Sequence, residues 1–198
     1  TQSRSSAASD VYKRQLYQVN LWAETWQQDC VEPVPMVTLT EQWLRENAPI
    51  CKEPCLVHCD YRVGNFMFEE PSGAITTILD WELAHFGDFH EDLAWILQKL
   101  FGTWNAQGEF LVCGLMEREK FISEYQCLSG REIKPNVLRY YEVLNAWKCA
   151  IMDLSSAIIA GQRANNHQDL LITWLGSAGA VFLDQIEMLI REELPNVA

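Results

Sequence analysis

The chain has 198 residues, enough to bury a core without disulfide or metal staples, and its 48% apolar and 21% charged composition is that of a globular fold. A formal charge of −12 argues against a nucleic-acid partner, because binding a phosphate backbone calls for a basic face. The longest uncharged run, 170–183, contains Thr, Ser and Gly and is too short to span a bilayer, so no membrane role is expected. Seven cysteines, an odd number without paired spacing, suggest free thiols and a reducing, cytoplasmic setting.

Residues 1–15 are Ser-rich and resemble translated sequencing-adapter sequence; they read as an adapter-derived or disordered leader. A helix is expected over 16–29, with Leu16, Val19, Trp22 and Trp26 at three- and four-residue steps. Pro33 and Pro35 break it, and Thr38 with Glu41 forms a capping-box pattern that opens a second helix to about Asn47. A short strand follows at 55–58, then a hairpin of strands 66–68 and 74–79 around Glu70-Pro71-Ser72-Gly73. After Gly87 the pattern is helical throughout. Asp88 with Glu91 caps a helix carrying Leu93, Ile96, Leu97 and Leu100, and another runs over 115–128 to Gly130. Pro135 opens a long helix with Gly161 past its end, and a last helix is expected over 168–193. The fold class is therefore α+β, mainly helical, with one small hairpin.

Chemistry concentrates at that hairpin. Asp60 precedes Asn65 by five residues, and Asp80 closes the apolar run that leaves the hairpin. Each is by itself an ordinary turn former. Together they suit phosphoryl transfer, which needs positioning and charge neutralisation more than covalent help. Asp60 would take the proton of an attacking hydroxyl, while Asn65 and Asp80 would offer oxygen ligands to Mg²⁺ on ATP. A zinc site of Cys51, Cys55, His58 and Cys59 is disfavoured: no CxxC occurs, and strand alternation puts His58 opposite Cys55 and Cys59.

From His58 to Ala94 the sequence resembles the aminoglycoside phosphotransferase-like kinases, a superfamily that includes choline and homoserine kinases. The resemblance rests on His58-Cys59-Asp60, Asn65, Ile78-Leu79-Asp80-Trp81-Glu82, Gly87-Asp88 and Asp92-Leu93-Ala94. Asp60-Tyr61-Arg62 and Asp80-Trp81-Glu82 look most like the branch of kinase domains associated with acyl-CoA dehydrogenases. The resemblance implies the C-terminal lobe of a protein-kinase-like fold over 16–198, acting on a small-molecule hydroxyl with ATP and Mg²⁺. It implies Asp60 as the base, Asn65 and Asp80 as metal ligands, and His58, Asp88 and Asp92 as supports of the loops. Glu82 also matches the branch, as a candidate substrate or phosphate contact. Arg62 has two open roles, contact with a substrate anion or an ion pair with a neighbouring acid. Two positions depart from the family pattern: Cys59 stands for Gly and Phe89 for Pro.

Residues 1–63 hold no glycine, and their only lysines are Lys13 and Lys52, so the Gly-rich phosphate loop and strand-borne Lys of kinase folds are not found there. A fragment without its nucleotide lobe, with little phosphotransfer of its own, is the expectation. The alternative is a pseudokinase-type binding or regulatory module, which Cys59 favours and the intact Asp60, Asn65 and Asp80 oppose. A metal-dependent hydrolase ranks last for lack of a His-rich or second-metal cluster. Aromatics at Trp104, Tyr141 and Trp147 are candidates for an acceptor pocket, although large aromatics more often pack cores.

Overall fold

The structure, a computed structural model, describes residues 16–163 and 167–191. The leader read over 1–15 lies outside them. The described residues group into two compact units, one of 16–50 with 143–191 and the other Cys51–Glu142.

In the first unit, α1 (Tyr17–Asp29) buries Val19 and Trp26 of the expected stripe, with Leu16 just before it, but it buries Ala23 where Trp22 was expected, and Trp22 is half-buried. Helix α2 (Pro35–Asn47) begins four residues earlier than its capping-box pattern implies, with Val34 and not Thr38 at its N-cap. Pro35 sits in the first turn, where its missing N–H has no helical partner to lose, so it starts the helix instead of breaking it. Helix α5 (Pro135–Arg163), numbered after the helices below, continues through Gly161. Its Trp147 is fully buried and donates from Nε1 to the Val37 carbonyl of α2 at 2.9 Å. Trp147→Phe is expected to destabilise the protein by about 1–2 kcal/mol, through one lost buried hydrogen bond and a smaller ring, read by urea unfolding.

The last predicted helix is interrupted. Helix α6 (His167–Leu175) and α7 (Gly179–Arg191) flank a single 3₁₀ turn, Gly176–Ala178. A Cβ on Gly176 would lie 2.2 Å from the Ala157 Cβ, so only glycine lets this turn approach α5 so closely. By length and composition α5 alone among the described helices could cross a bilayer, yet 61% of that stretch is buried inside the protein, as in a core helix.

The second unit holds the strands. β1 (Cys55–Val57) pairs antiparallel with β4 (His85–Gly87), a strand too short to show a pattern in sequence. β2 (Phe66–Glu69) and β3 (Ala74–Ile78) form the expected hairpin, with an irregularity between Met67 and Phe68. Helix α3 (His90–Ile96) ends earlier than its apolar stripe suggests. The region beyond it is not uniformly helical: β5 (Thr103–Trp104), β6 (Phe110–Val112) and β7 (Met116–Glu117) make a three-stranded antiparallel meander. Strands of two and three residues carry too few alternations to register as such. Helix α4 (Arg118–Ser129) stops at Gly130, whose φ of 66° supplies the left-handed cap. Arg118 at the head of α4 makes a two-pronged ion pair with the buried Glu142 carboxylate, at 2.5 and 3.0 Å.

Candidate active site

The site is assembled within the second unit, where β1 hands over to the loop 58–62. Asp92, on the first turn of α3, accepts from the amides of His58 (2.9 and 3.0 Å) and Cys59 (2.8 Å). One carboxylate thus ties two successive loop amides to a helix. Burial pushes the Asp92 pKa upward, partly offset by those two amides, and the net displacement is upward.

His58 is buried and joins the two acidic ends of the site. Its Nδ1 accepts from the Asp60 amide at 3.1 Å, which puts the ring proton on Nε2, and Nε2 faces the Leu79 carbonyl at 2.7 Å. The Trp81 ring lies against it, with centroids 4.6 Å apart. Asn65 and Leu79 are joined by a backbone bond of 2.8 Å at the open end of the hairpin, so Asn65 enters the hairpin beside the point where Asp80 leaves it.

Three side-chain donors converge on the Asp60 carboxylate. Oδ1 accepts from Arg62 Nε (2.9 Å) and from Trp95 Nε1 (3.0 Å), while Oδ2 accepts from Asn65 Nδ2 (2.5 Å). Asn65 Nδ2 also reaches the Asp60 carbonyl at 2.9 Å. With its nitrogen committed to two oxygens, the buried Asn65 amide keeps its Oδ1 as a ligand atom. Asp80 is exposed, has a φ of 65°, and its carboxylate makes no hydrogen bond or ion pair among the described residues. A neutral amide oxygen and an uncommitted carboxylate at one hairpin end are a donor set that fits hard Mg²⁺.

Arg62 takes the second of its two roles here, pairing with Asp60, and its guanidinium also lies 5.9 Å from the Phe101 ring centroid. A Cβ on Gly64 would come within 2.4 Å of Arg62 Nη1, so glycine at 64 lets Arg62 fold back over the loop. Glu82 is exposed. Asp88 acts one residue before the cap of α3: its Oδ1 accepts from the His90 amide (3.0 Å) and His90 Nδ1 (2.6 Å), while His90 Nε2 accepts from the Lys134 amide (3.0 Å). Trp95 is the site residue that local spacing does not mark. Its signal was available only in part, as the i, i+3 partner of Asp92 on one helix face. Of the aromatic candidates, Tyr141 and Trp147 are buried and Trp104 is exposed, edge-on to Phe110.

Burial acts to raise the Asp88 pKa, but the side-chain and backbone donors of His90 outweigh it and hold it below the usual carboxylate range. A depressed folded pKa contributes stability that is fully present above the ordinary range and is lost as pH falls through the lowered value. Acid unfolding of the wild type is therefore expected to be steeper than that of Asp88→Asn, measured as unfolding free energy against pH below about 5.

The hairpin thus sets Asn65 and Asp80 at one end, beside the loop that carries Asp60 and that a helix carboxylate braces. The model of the phosphotransferase enzyme family matches residues 3–112, and the chain belongs to that family. It is 34% identical over 88 residues to acyl-CoA dehydrogenase family member 11 of Rattus norvegicus and 30% identical over 142 residues to the Homo sapiens protein of that name. Those matches cover 44% and 67% of this chain but span only 11% and 18% of the relatives' lengths. A crystal structure assigned as an aminoglycoside phosphotransferase from Ralstonia eutropha superposes with a TM-score of 0.70 at 18% identity, over 89% of this chain and 55% of that one. A thermostable aminoglycoside phosphotransferase APH(4)-Ia, solved in a ternary complex with AMP-PNP and hygromycin B, has a TM-score of 0.53 at 20% identity, over 87% of this chain and 51% of that one. The fold is that of the aminoglycoside phosphotransferases.

Proposed function

We propose that this chain carries the catalytic and acceptor-binding part of an ATP-dependent kinase that phosphorylates a hydroxyl of a small molecule. The observation that carries the reading is the Asp60 carboxylate, held by Asn65, Arg62 and Trp95 next to the open end of the hairpin. Asp60 accepts a hydrogen bond from the acceptor hydroxyl and takes its proton as the oxygen bonds to phosphorus. Asn65 Oδ1 and the Asp80 carboxylate would hold Mg²⁺, whose chemistry is to neutralise charge on the phosphate oxygens. His58 and Asp92 hold the loop that presents Asp60, and Asp88 steadies the turn into α3. Arg62 pairs with Asp60 at rest, and its guanidinium is the group placed to meet an incoming anion. The glycine-free stretch 1–63 supports a nucleotide lobe supplied from outside these residues.

The structural neighbour that holds AMP-PNP and hygromycin B supports ATP as donor and an aminoglycoside-like acceptor. The relatives named for an acyl-CoA dehydrogenase family support a hydroxyacyl acceptor instead. Seven cysteines, none in a disulfide, support a reducing, cytoplasmic setting. Thermal melts with and without MgCl₂ test the reading. At about ten times its dissociation constant the ion should add roughly 1.4 kcal/mol and raise the melting temperature by about 3–6 °C. Asp80→Ala should abolish the shift. A wild type indifferent to Mg²⁺ would favour the alternative, a binding or regulatory module that has given up catalysis.

A further inference from the structure

Cys59, one residue before Asp60, has a φ of 62°, a backbone conformation that glycine takes freely and a side chain takes only at a cost. Its thiol is fully buried, and its Sγ lies 3.5 Å from Nδ1 of His85 on β4. On the other edge of the same ring, Nε2 lies 3.2 Å from Oε2 of Glu91, a carboxylate on α3 that is only 2% exposed. The Glu91 carboxylate is turned toward His85. One ligand atom from each of Cys59, His85 and Glu91 lies within 4.8 Å of the other two. Space beside the pair is preserved by Gly87, where a Cβ would sit 3.1 Å from His85 Nε2 and 3.2 Å from Glu91 Oε2.

We propose that Cys59, His85 and Glu91 form a zinc site behind the catalytic loop, separate from the Mg²⁺ ligands Asn65 and Asp80. The inference does not rest on the phosphotransferase reading. Sulfur, imidazole nitrogen and carboxylate oxygen are the donors zinc takes, whereas Mg²⁺ takes oxygens and usually keeps several waters. Zinc bonds of about 2.0–2.3 Å put tetrahedral ligand atoms roughly 3.3–3.6 Å apart. The Cys59–His85 separation already has that value. Only one ring nitrogen faces the ion, so Nδ1 ligates with Sγ, giving up its 3.2 Å approach to the Leu83 carbonyl, and the Glu91 carboxylate moves inward. Water completes the fourth position.

The three ligands come from the loop 58–62, β4 and α3, so the ion clamps the loop that presents Asp60 to the two elements that brace it. The cysteine pair nearest in sequence is less suited. Burial and the Asp88 charge push the Cys51 thiol up to about 11, away from the thiolate that zinc needs.

Cobalt is the probe, because a thiolate-bound Co²⁺ shows a sulfur-to-metal charge-transfer band and tetrahedral sites show intense visible bands. The 198-residue chain titrated with CoCl₂ in excess MgCl₂ should develop both at one equivalent and lose both on adding ZnCl₂. Cys59→Ser should abolish the charge-transfer band, and His85→Gln should weaken binding at least ~100-fold, more than losing a supporting hydrogen bond does. The double variant Cys51→Ser/Cys55→Ser should bind like wild type. Cys59→Gly, which relieves the left-handed backbone, keeps the test valid should the serine variant misfold. No sulfur–cobalt band in the wild type, or a band that survives Cys59→Ser and Cys59→Gly, would overturn the site.

Discussion

Asp92→Ala is expected to destabilise the protein by roughly 3 kcal/mol, the range for removing the partner of buried hydrogen-bonding groups. The substitution leaves the amides of His58 and Cys59 without the carboxylate that accepts from both. Asp92→Asn should cost far less, about 1 kcal/mol, because both amides approach the same oxygen, Oδ1, and an asparagine can present one. Charge sharpens the contrast. A carboxylate whose folded pKa is raised contributes stability that is present below the ordinary range and is lost as pH rises through the raised value. At neutral pH Asp92 therefore carries a desolvation cost that a neutral amide does not. Urea unfolding of the two variants at pH 7 separates these terms. Equal losses would mean that the carboxylate charge, and not the acceptor atom, holds the loop.

The parts of this site that were legible in sequence are those whose geometry is local. Asp60, Asn65 and Asp80 are brought to one end of the unit by a hairpin short enough that its strands and turn are written in consecutive residues. The helices with apolar stripes, α1 and α5, follow from periodicity, and the end of α4 from its terminal Gly130. What local pattern could not supply is long-range pairing. Trp95 reaches Asp60 across 35 positions, and an indole on a buried helix face gives no sign of whether its N–H serves packing or chemistry. The pairing of β1 with β4 is likewise invisible, because three residues such as His85-Phe86-Gly87 carry no period. Strand alternation also misleads at Cys59, where the positive φ turns the chain and removes the side chain from the face that counting by twos assigns it. That turn is also why glycine is the expected residue there and why cysteine faces His85.

Asp60→Asn is expected to lower phosphotransfer by about 10²–10⁴-fold in an enzyme that contains this chain and a nucleotide lobe, with the KM for ATP little changed. The amide oxygen can still accept from Trp95 and Arg62, but its nitrogen replaces the oxygen that accepts from Asn65 Nδ2, so unfolding is measured beside activity to separate loss of the proton acceptor from loss of the loop. Trp95→Phe probes the same carboxylate differently. It keeps the buried aromatic and removes one donor at 3.0 Å, so Asp60 stays a base with one fewer constraint on its orientation. The expected loss in kcat is about 5–10-fold, the equivalent of one hydrogen bond of about 1–1.4 kcal/mol. Unfolding measured beside it should show whether the loss is one of positioning or of fold. On the proposed reading, the 198 residues alone are expected to show little turnover, since phosphoryl transfer depends on phosphates held in line and 1–63 hold no glycine for a Gly-rich phosphate loop. ATP-dependent turnover by this chain that disappears in Asp60→Asn would refute that dependence on a separate lobe. A full-length enzyme whose rate survives Asp60→Asn would instead refute the base. The two results act on different claims, because the first concerns where the nucleotide is held and the second concerns which atom takes the proton.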